Sequence, residues 1–183
     1  MSGRIRAGVF LTAAAVLLAA CGAAAGSDDT APPEDAAAEQ DAVEASGDPA
    51  PDVEFENFDG EVRTISDLQG QPVVLNFWAS WCPPCVAEMP YIESVHQDLG
   101  DEIQFLGMNT QDSMGPALDL VDETGVTYEL GLDPNGDIFR TFSVFTMPMT
   151  FFINADGEVV DTHGGIFTEQ QLRDQIRDNF GVS

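Results

Sequence analysis

The sequence predicts an α/β domain, a mixed β-sheet with helices on both faces, and three observations carry that prediction. An apolar run from Pro72 to Trp78 leads into Trp81-Cys82-Pro83-Pro84-Cys85 and then into a helix-like stretch, so a buried strand feeds a helix. A second apolar run, Ile103 to Met108, is followed by a helical pattern, which is the repeat of a parallel βαβ unit. Near the end, Met149 to Ile153 and Glu158 to Thr162 flank Ala155-Asp156-Gly157, which reads as an antiparallel hairpin.

The elements follow in order. Val53 to Phe58 and Glu61 to Ile65 form an N-terminal β-hairpin around Asp59-Gly60, and Ser66 to Leu68 turn the chain. Pro72 to Trp78 is a strand covered on both faces, interrupted only by Asn76. Pro83 to Leu99 is a helix closed by Gly100, with Pro90 expected to kink it. Gly115 to Glu123 is a helix with Ala117, Leu118 and Val121 inward, ended by Gly125. A short strand at Tyr128 to Leu132 and a short helix at Asn135 to Phe142 precede the second hairpin. Thr168 starts the last helix, where Thr168 and Gln171 match a capping box and Leu172, Ile176 and Phe180 keep helical spacing.

The ends of the 183-residue chain follow different rules. Residues 1–20 combine Arg4 and Arg6 with a mostly apolar segment, the pattern of a secretory signal. Residues 21–50 are Ala, Asp, Glu, Pro, Gly and Ser with few exceptions, and cannot bury enough surface to order themselves. They are expected to form an acidic tether with a mean span of ~30 Å. Residues 51–183 then form one domain, large enough for a real core.

Charge excludes some partners. The chain carries 32 acidic residues against six arginines and no lysine; the domain has four arginines against 24 acids, a net charge of −20. Nucleic acid and anionic headgroups are therefore poor electrostatic partners. A basic client or a salty medium suits such a surface, and a plain solvated acidic surface explains it as well.

Three cysteines are present, Cys21 in the leader and the pair Cys82 and Cys85 in the domain. Cysteines three apart can close a disulfide across one helical turn. The first stands at a helix N-terminus, where the macrodipole and free N–H groups favour a thiolate. This context reads as thiol–disulfide exchange.

Together these residues resemble the thioredoxin-like superfamily, and within it the membrane-tethered extracytoplasmic thiol–disulfide oxidoreductases of the TlpA and ResA type. The matching pieces are Asn76 to Cys85, Glu88-Met89-Pro90, and Met147-Pro148 ahead of Thr150 to Ile153. Gly115 to Leu132 occupies the place of that subfamily's helix-strand insertion. The leader ending Leu18-Ala19-Ala20-Cys21 resembles a bacterial lipoprotein signal, which implies cleavage before Cys21 and lipidation of its sulfur. An uncleaved signal anchor is the alternative, since 7–25 is just long enough to span a membrane. Either places the domain on the extracytoplasmic face.

The resemblance implies roles for single residues. Cys82 becomes the exposed nucleophile and Cys85 the buried resolving thiol. Glu88 lies at i+3 from Cys85, a spacing that fits both a solvated carboxylate and a base; the subfamily's glutamate at this position favours the base. A trans bond is the ordinary expectation before Pro148, whereas the family position implies a cis Met147–Pro148 bond that exposes backbone to an extended client. Trp81, Pro83, Pro84, Met147 and Pro148 are the expected client-binding residues. No cofactor is implied. Clients are protein disulfides or dithiols, apocytochrome c among them, with electrons from a membrane thiol-transfer donor.

Three departures from the family pattern stand out: Asn76 where thioredoxin has a buried Asp, Ser143 where a glycine is common, and Met149 after Pro148. The paired prolines remove two N–H groups that otherwise donate to a Cys82 thiolate, which argues for a reductant. An extracytoplasmic oxidant is the alternative direction. A copper-delivery module using His96 or His163 is the alternative class, disfavoured because nothing in the spacing brings either to the cysteines. A peroxidase is disfavoured because no Pro-Thr loop cysteine is present.

Overall fold

The computed structural model describes residues 47–183. The signal at residues 1–20, Cys21 and most of the tether lie outside the described residues. Eight strands and four helices are described: β1 Asp48–Pro49, β2 Glu54–Asn57, β3 Val62–Thr64, β4 Val73–Trp78, β5 Gln104–Thr110, β6 Glu129–Asp133, β7 Met149–Ile153 and β8 Glu158–Gly164, with α1 Pro83–Leu99, α2 Met114–Thr124, α3 Asp137–Thr141 and α4 Glu169–Phe180. The strands form one mixed sheet in the order β1-β8-β7-β4-β5-β6-β2-β3. β4, β5 and β6 run parallel, and β7 crosses β4 antiparallel.

Strand period explains the two-sided core. In β4, Val74 and Trp78 point into one apolar cluster with α1 and α4, while Val73, Leu75 and Phe77 point into the other with α3. Asn76 therefore faces α1. In β7, Phe152 joins the α1 side and Phe151 the other. Thr150, in register with Asn76, faces α1 as well. The α3 side holds an aromatic group in which Phe77 meets Phe139, Phe142 and Phe151 at 5.6–5.9 Å between ring centroids. Packing on both sheet faces fixes β4 and α1, and with them the cysteines between.

Helix ends follow local chemistry. Pro83 and Pro84 occupy the first two positions of α1, where missing N–H groups cost least, and Cys82 is its N-cap. α1 runs on through Pro90 to Leu99. Thr168 caps α4 through the Gln171 N–H, with Gln171 answering in a capping box. Gly125 and Gly181 end α2 and α4 in the left-handed conformation.

The structure differs from the expected elements in a few places. Ile65 leaves the second strand for a 3-10 turn, Ile65–Leu68, whose N-cap Thr64 exchanges bonds with Asp67. β5 and β8 each run two residues further than expected. Ordered backbone also begins before residue 51: Asp48 and Pro49 pair with β8, and the Gly47 and Ala50 N–H groups donate to Val159 and Gly157. The tether expected over residues 21–50 is thus shortened at its C-terminal end. Edge pairing of this kind uses backbone alone, so composition carries no sign of it. Leu118, expected inward on α2, is half-exposed, and Leu120 is buried instead.

Candidate active site

Cys82 and Cys85 form a disulfide, with their Cα atoms 5.3 Å apart. The apolar packing of β4 delivers the chain to this point: Trp78, Ala79, Cys82, Cys85 and Met89 all belong to the α1-side core. Cys85 is fully buried and Cys82 is 5 % exposed. The expected order of burial holds, but Cys82 is recessed rather than exposed, because in the disulfide its sulfur is turned toward Cys85 and the core. Its Sγ accepts the Cys85 N–H at 3.4 Å. Pro83 and Pro84 have no N–H to offer.

Two loops hold the approach to Cys82. Asp112, just after β5, accepts bonds from the Ser80 N–H and Oγ, the Asn109 Nδ2 and the Ser113 N–H. Those donors outweigh burial and hold its carboxyl below the ordinary range. The Trp81 indole N–H donates to the Gln111 carbonyl at 3.0 Å while its ring stays 55 % exposed. Opposite lies the loop with a cis Met147–Pro148 bond, as the family position implies. Ser143, at φ 53°, occupies a left-handed position where a glycine is at ease.

A groove of about 480 Å³ lies between these loops, lined by Trp81, Cys82, Pro83, Pro84, Phe145 and Met147 among others. Phe145 is 80 % exposed, a large apolar side chain left in solvent beside the disulfide. A larger hollow of about 550 Å³, bordered by Phe58, Asp59, Glu61 and Glu129, contains neither cysteine.

One helical turn past Cys85 on α1, Glu88 is fully buried. The solvated alternative that its spacing allowed does not apply. Its Oε1 accepts from Asn76 Nδ2 at 2.9 Å, and its Oε2 from the Phe167 N–H at 3.0 Å. Asn76 Nδ2 also donates to Thr150 Oγ1 at 3.0 Å. Burial pushes the Glu88 carboxyl up to about 7, against the lowering effect of the two donors. The group is therefore divided between acid and carboxylate near neutral pH, the range in which a proton acceptor is most useful.

Of the residues the sequence reading named, Trp81, Cys82, Pro83, Pro84 and Met147 line the groove, Cys85 is joined to Cys82, Pro148 follows Met147 across the cis bond, and Glu88 stands one turn past Cys85 on α1. That reading missed Asp112, Thr150 and the Phe167 N–H. Asn76, a lone polar residue in an apolar strand, was the one available signal. His163 stacks on Phe167 at 3.8 Å between ring centroids, nearer the site than spacing suggested, and His96 packs on Phe105 and Tyr128. Among the described residues, no group of three or more His, Cys, Asp or Glu side chains is placed to hold a metal ion.

Residues 46–162 match the AhpC/TSA family. The chain is 31 % identical over 137 residues to the thiol–disulfide oxidoreductase ResA of Oceanobacillus iheyensis, covering 72 % of this chain and 71 % of that one. Its fold is similar to a Chlorobium tepidum protein assigned as the thiol:disulfide interchange protein DsbE, with TM-score 0.69 and 29 % identity, covering 74 % of this chain and 98 % of the other. It is also similar to the exposed lipoprotein thioredoxin Etrx1 of Streptococcus pneumoniae, with TM-score 0.61 and 27 % identity over 70 % of this chain and 99 % of that chain. A Cys-Pro-Pro-Cys disulfide at a helix start, a facing cis-proline loop and these likenesses lead to one conclusion: the chain belongs to the AhpC/TSA family and is a thioredoxin-like thiol–disulfide oxidoreductase.

Proposed function

We propose that the chain is a reductant of protein disulfides on the extracytoplasmic face of the bacterial membrane, with Cys82 as nucleophile and Cys85 as resolving thiol. The observation that carries the reducing direction lies at the start of α1. Of the first three amides there, two belong to Pro83 and Pro84, and the Cys85 N–H alone reaches the Cys82 sulfur. A thiolate with fewer donors is less stabilised, so its disulfide is the favoured state and the dithiol gives up electrons readily.

The steps balance as follows. The Cys82 thiolate attacks one sulfur of a client disulfide, forming a mixed disulfide and releasing a client thiolate. Cys85 then gives its proton to the Glu88 carboxylate, and its thiolate attacks the Cys82 sulfur. That step restores the Cys82–Cys85 disulfide and frees the second client thiolate. Two electrons have moved to the client, and a membrane thiol-transfer donor returns two by the reverse exchange. The resemblance to ResA-type proteins supports apocytochrome c disulfides as clients. Trp81, Phe145 and the Met147–Pro148 backbone supply an apolar, extended seat for the segment beside the client cysteine.

Attachment rests on Cys21 and the acidic tether. A diacylglycerol thioether with a further acyl chain gives stable residence, and the lipoprotein description of the pneumococcal relative supports this form. Among the described residues no helix is long and apolar enough to cross a membrane. Cys21→Ser is expected to shift the protein from the membrane to the soluble extracytoplasmic fraction; retention on the membrane identifies a signal anchor instead.

Cys85→Ser is expected to accumulate mixed disulfides through Cys82, separable on non-reducing gels and identifiable by mass spectrometry, while the Cys82→Ser, Cys85→Ser double variant accumulates none. Absence of any trapped client removes the exchange assignment. Pro84→His restores an N–H and adds a cationic partner, and is expected to lower the Cys82 thiol pKa by about one unit or more and raise the reduction potential. An unchanged Cys82 titration removes the reducing argument.

Glu88→Gln is expected to slow resolution on the order of 10²-fold and to abolish the acid limb of the pH–rate profile near 7. The same group shapes stability. Its folded pKa is raised above 4.5, so the folded state holds the proton more tightly, and the group's contribution is greatest below pH 4.5 and declines up to about pH 7. Urea unfolding of the oxidised proteins across that range is expected to show wild type losing about 3 kcal/mol relative to Glu88→Gln. A pH-independent difference contradicts the assignment.

A further inference from the structure

Two buried acids in this fold are treated differently by their surroundings. Asp133 accepts from Thr110 Oγ1 and from the Ile138 and Phe139 N–H groups, three donors in all. Glu88 has two, the Phe167 N–H and Asn76 Nδ2. The first comes from backbone that α4 fixes. The second comes from a side chain, 2 % exposed, on the strand that leads to the cysteines. That side chain is itself anchored, because its Nδ2 also donates to Thr150 Oγ1, in register on β7. Its Oδ1 is buried and bonded to no protein donor, so the NH2 half of the amide is the half in use.

We propose that Asn76 is the positioning residue of Glu88: anchored on Thr150, its amide holds the carboxyl against β4, one turn past Cys85, and supplies one of the two donors that make the ionised form tenable. This rests on the reading of Glu88 as the acceptor of the Cys85 proton. An asparagine suits the task because it donates without bringing charge. An aspartate at the same place turns an acceptor toward an acceptor, and two carboxyls at this separation cannot both ionise freely. Loss of one charge-assisted hydrogen bond in a buried site is expected to cost the ionised form about tenfold or more in population, about one pH unit in midpoint.

The other titratable groups around Glu88 do not blur the reading. The cysteines are joined and do not titrate in the oxidised protein. Burial pushes the Tyr128 hydroxyl above its ordinary range and the His163 imidazole, stacked on Phe167, below its own. His163 is followed separately through its ring signals.

The test is the 13C titration of the Glu88 carboxyl in the oxidised full-length protein, with Glu88→Gln identifying the resonance. Asn76→Leu keeps the volume and removes the donor, and its midpoint is expected to rise by about one unit. Asn76→Asp keeps the shape and reverses the bond, and the upper step of the coupled pair is expected to rise further. Thr150→Val removes only the anchor and should shift the midpoint in the same direction by less. A role in packing alone predicts an unchanged midpoint in Asn76→Leu, and that result overturns the proposal. If the Asn76 variants do not fold, an unmoved Glu88 midpoint in Thr150→Val overturns it instead. The acid limb of disulfide reduction separates this from the role of Glu88 itself. If the carboxyl titration moves and the acid limb does not, the proton-acceptor reading of Glu88 fails while Asn76 keeps its place.

Discussion

Burying a carboxyl group between β4 and α1 is the constraint on which the site depends. Glu88 sits where an apolar residue would pack without cost, and an unpaired carboxylate there is expensive enough that the group tends to neutralise instead. The fold meets that cost only in part, with one amide from Asn76 and one backbone N–H from Phe167. Partial compensation leaves the carboxyl near 7 rather than at either extreme. The position is also tied to three distant parts of the chain. β4 supplies Asn76, β7 supplies Thr150, and the approach to α4 supplies Phe167, so α1 cannot move against the sheet without disturbing the acid.

A second set of contacts controls the approach from outside. Asp112 collects four donors and thereby fastens the Ser80–Trp81 loop to the end of β5. Gln111, held at φ 49°, turns its carbonyl to the Trp81 indole. These bonds leave the ring of Trp81 exposed without leaving it loose. Phe145 and Met147 face it across the groove from the loop before β7. Apolar groups fixed in solvent on both sides of a reactive disulfide favour an occupant that brings apolar surface of its own, which is a property of an unfolded or extended client more than of a folded one.

What the sequence disclosed follows from the range of each interaction. The bounds of α1 were legible because its start is written locally, in Pro83 and Pro84, and its end in Leu99-Gly100. The second hairpin was legible for the same reason, in Asp156-Gly157. Helical spacing placed Glu88 on the same side as Cys85, yet could not say that the side was buried. The group that closes over it, the Phe167 N–H, comes from 79 residues away. Thr150 and Asp112 were hidden similarly, since their roles exist only once β4, β5 and β7 are in register. Asp48 and Pro49 were misread as tether because their pairing to β8 uses no side chain. Ser143 was visible as a departure from glycine, but its left-handed backbone was not.

Charge joins the local argument for reduction to the composition of the whole domain. A thiolate at Cys82 is favoured by nearby cations, and this domain offers four arginines and no lysine. Each arginine is already engaged by acids: Arg63 with Glu129, Arg140 with Asp137, Arg173 with Asp98 and Glu169, and Arg177 with Asp174 and Asp178. Such surface pairs contribute little to stability, but they take up the cations all the same. None of the four lines the groove at Cys82. The excess of acids therefore acts on the cysteine uncompensated, apart from the helix start, where two of the first three amides have no N–H to donate. Long-range field and local hydrogen bonding thus press in one direction, against the thiolate and toward the closed disulfide. Salt weakens the first and leaves the second, so the reducing character proposed for the pair rests chiefly on Pro83 and Pro84 wherever the surrounding medium is saline.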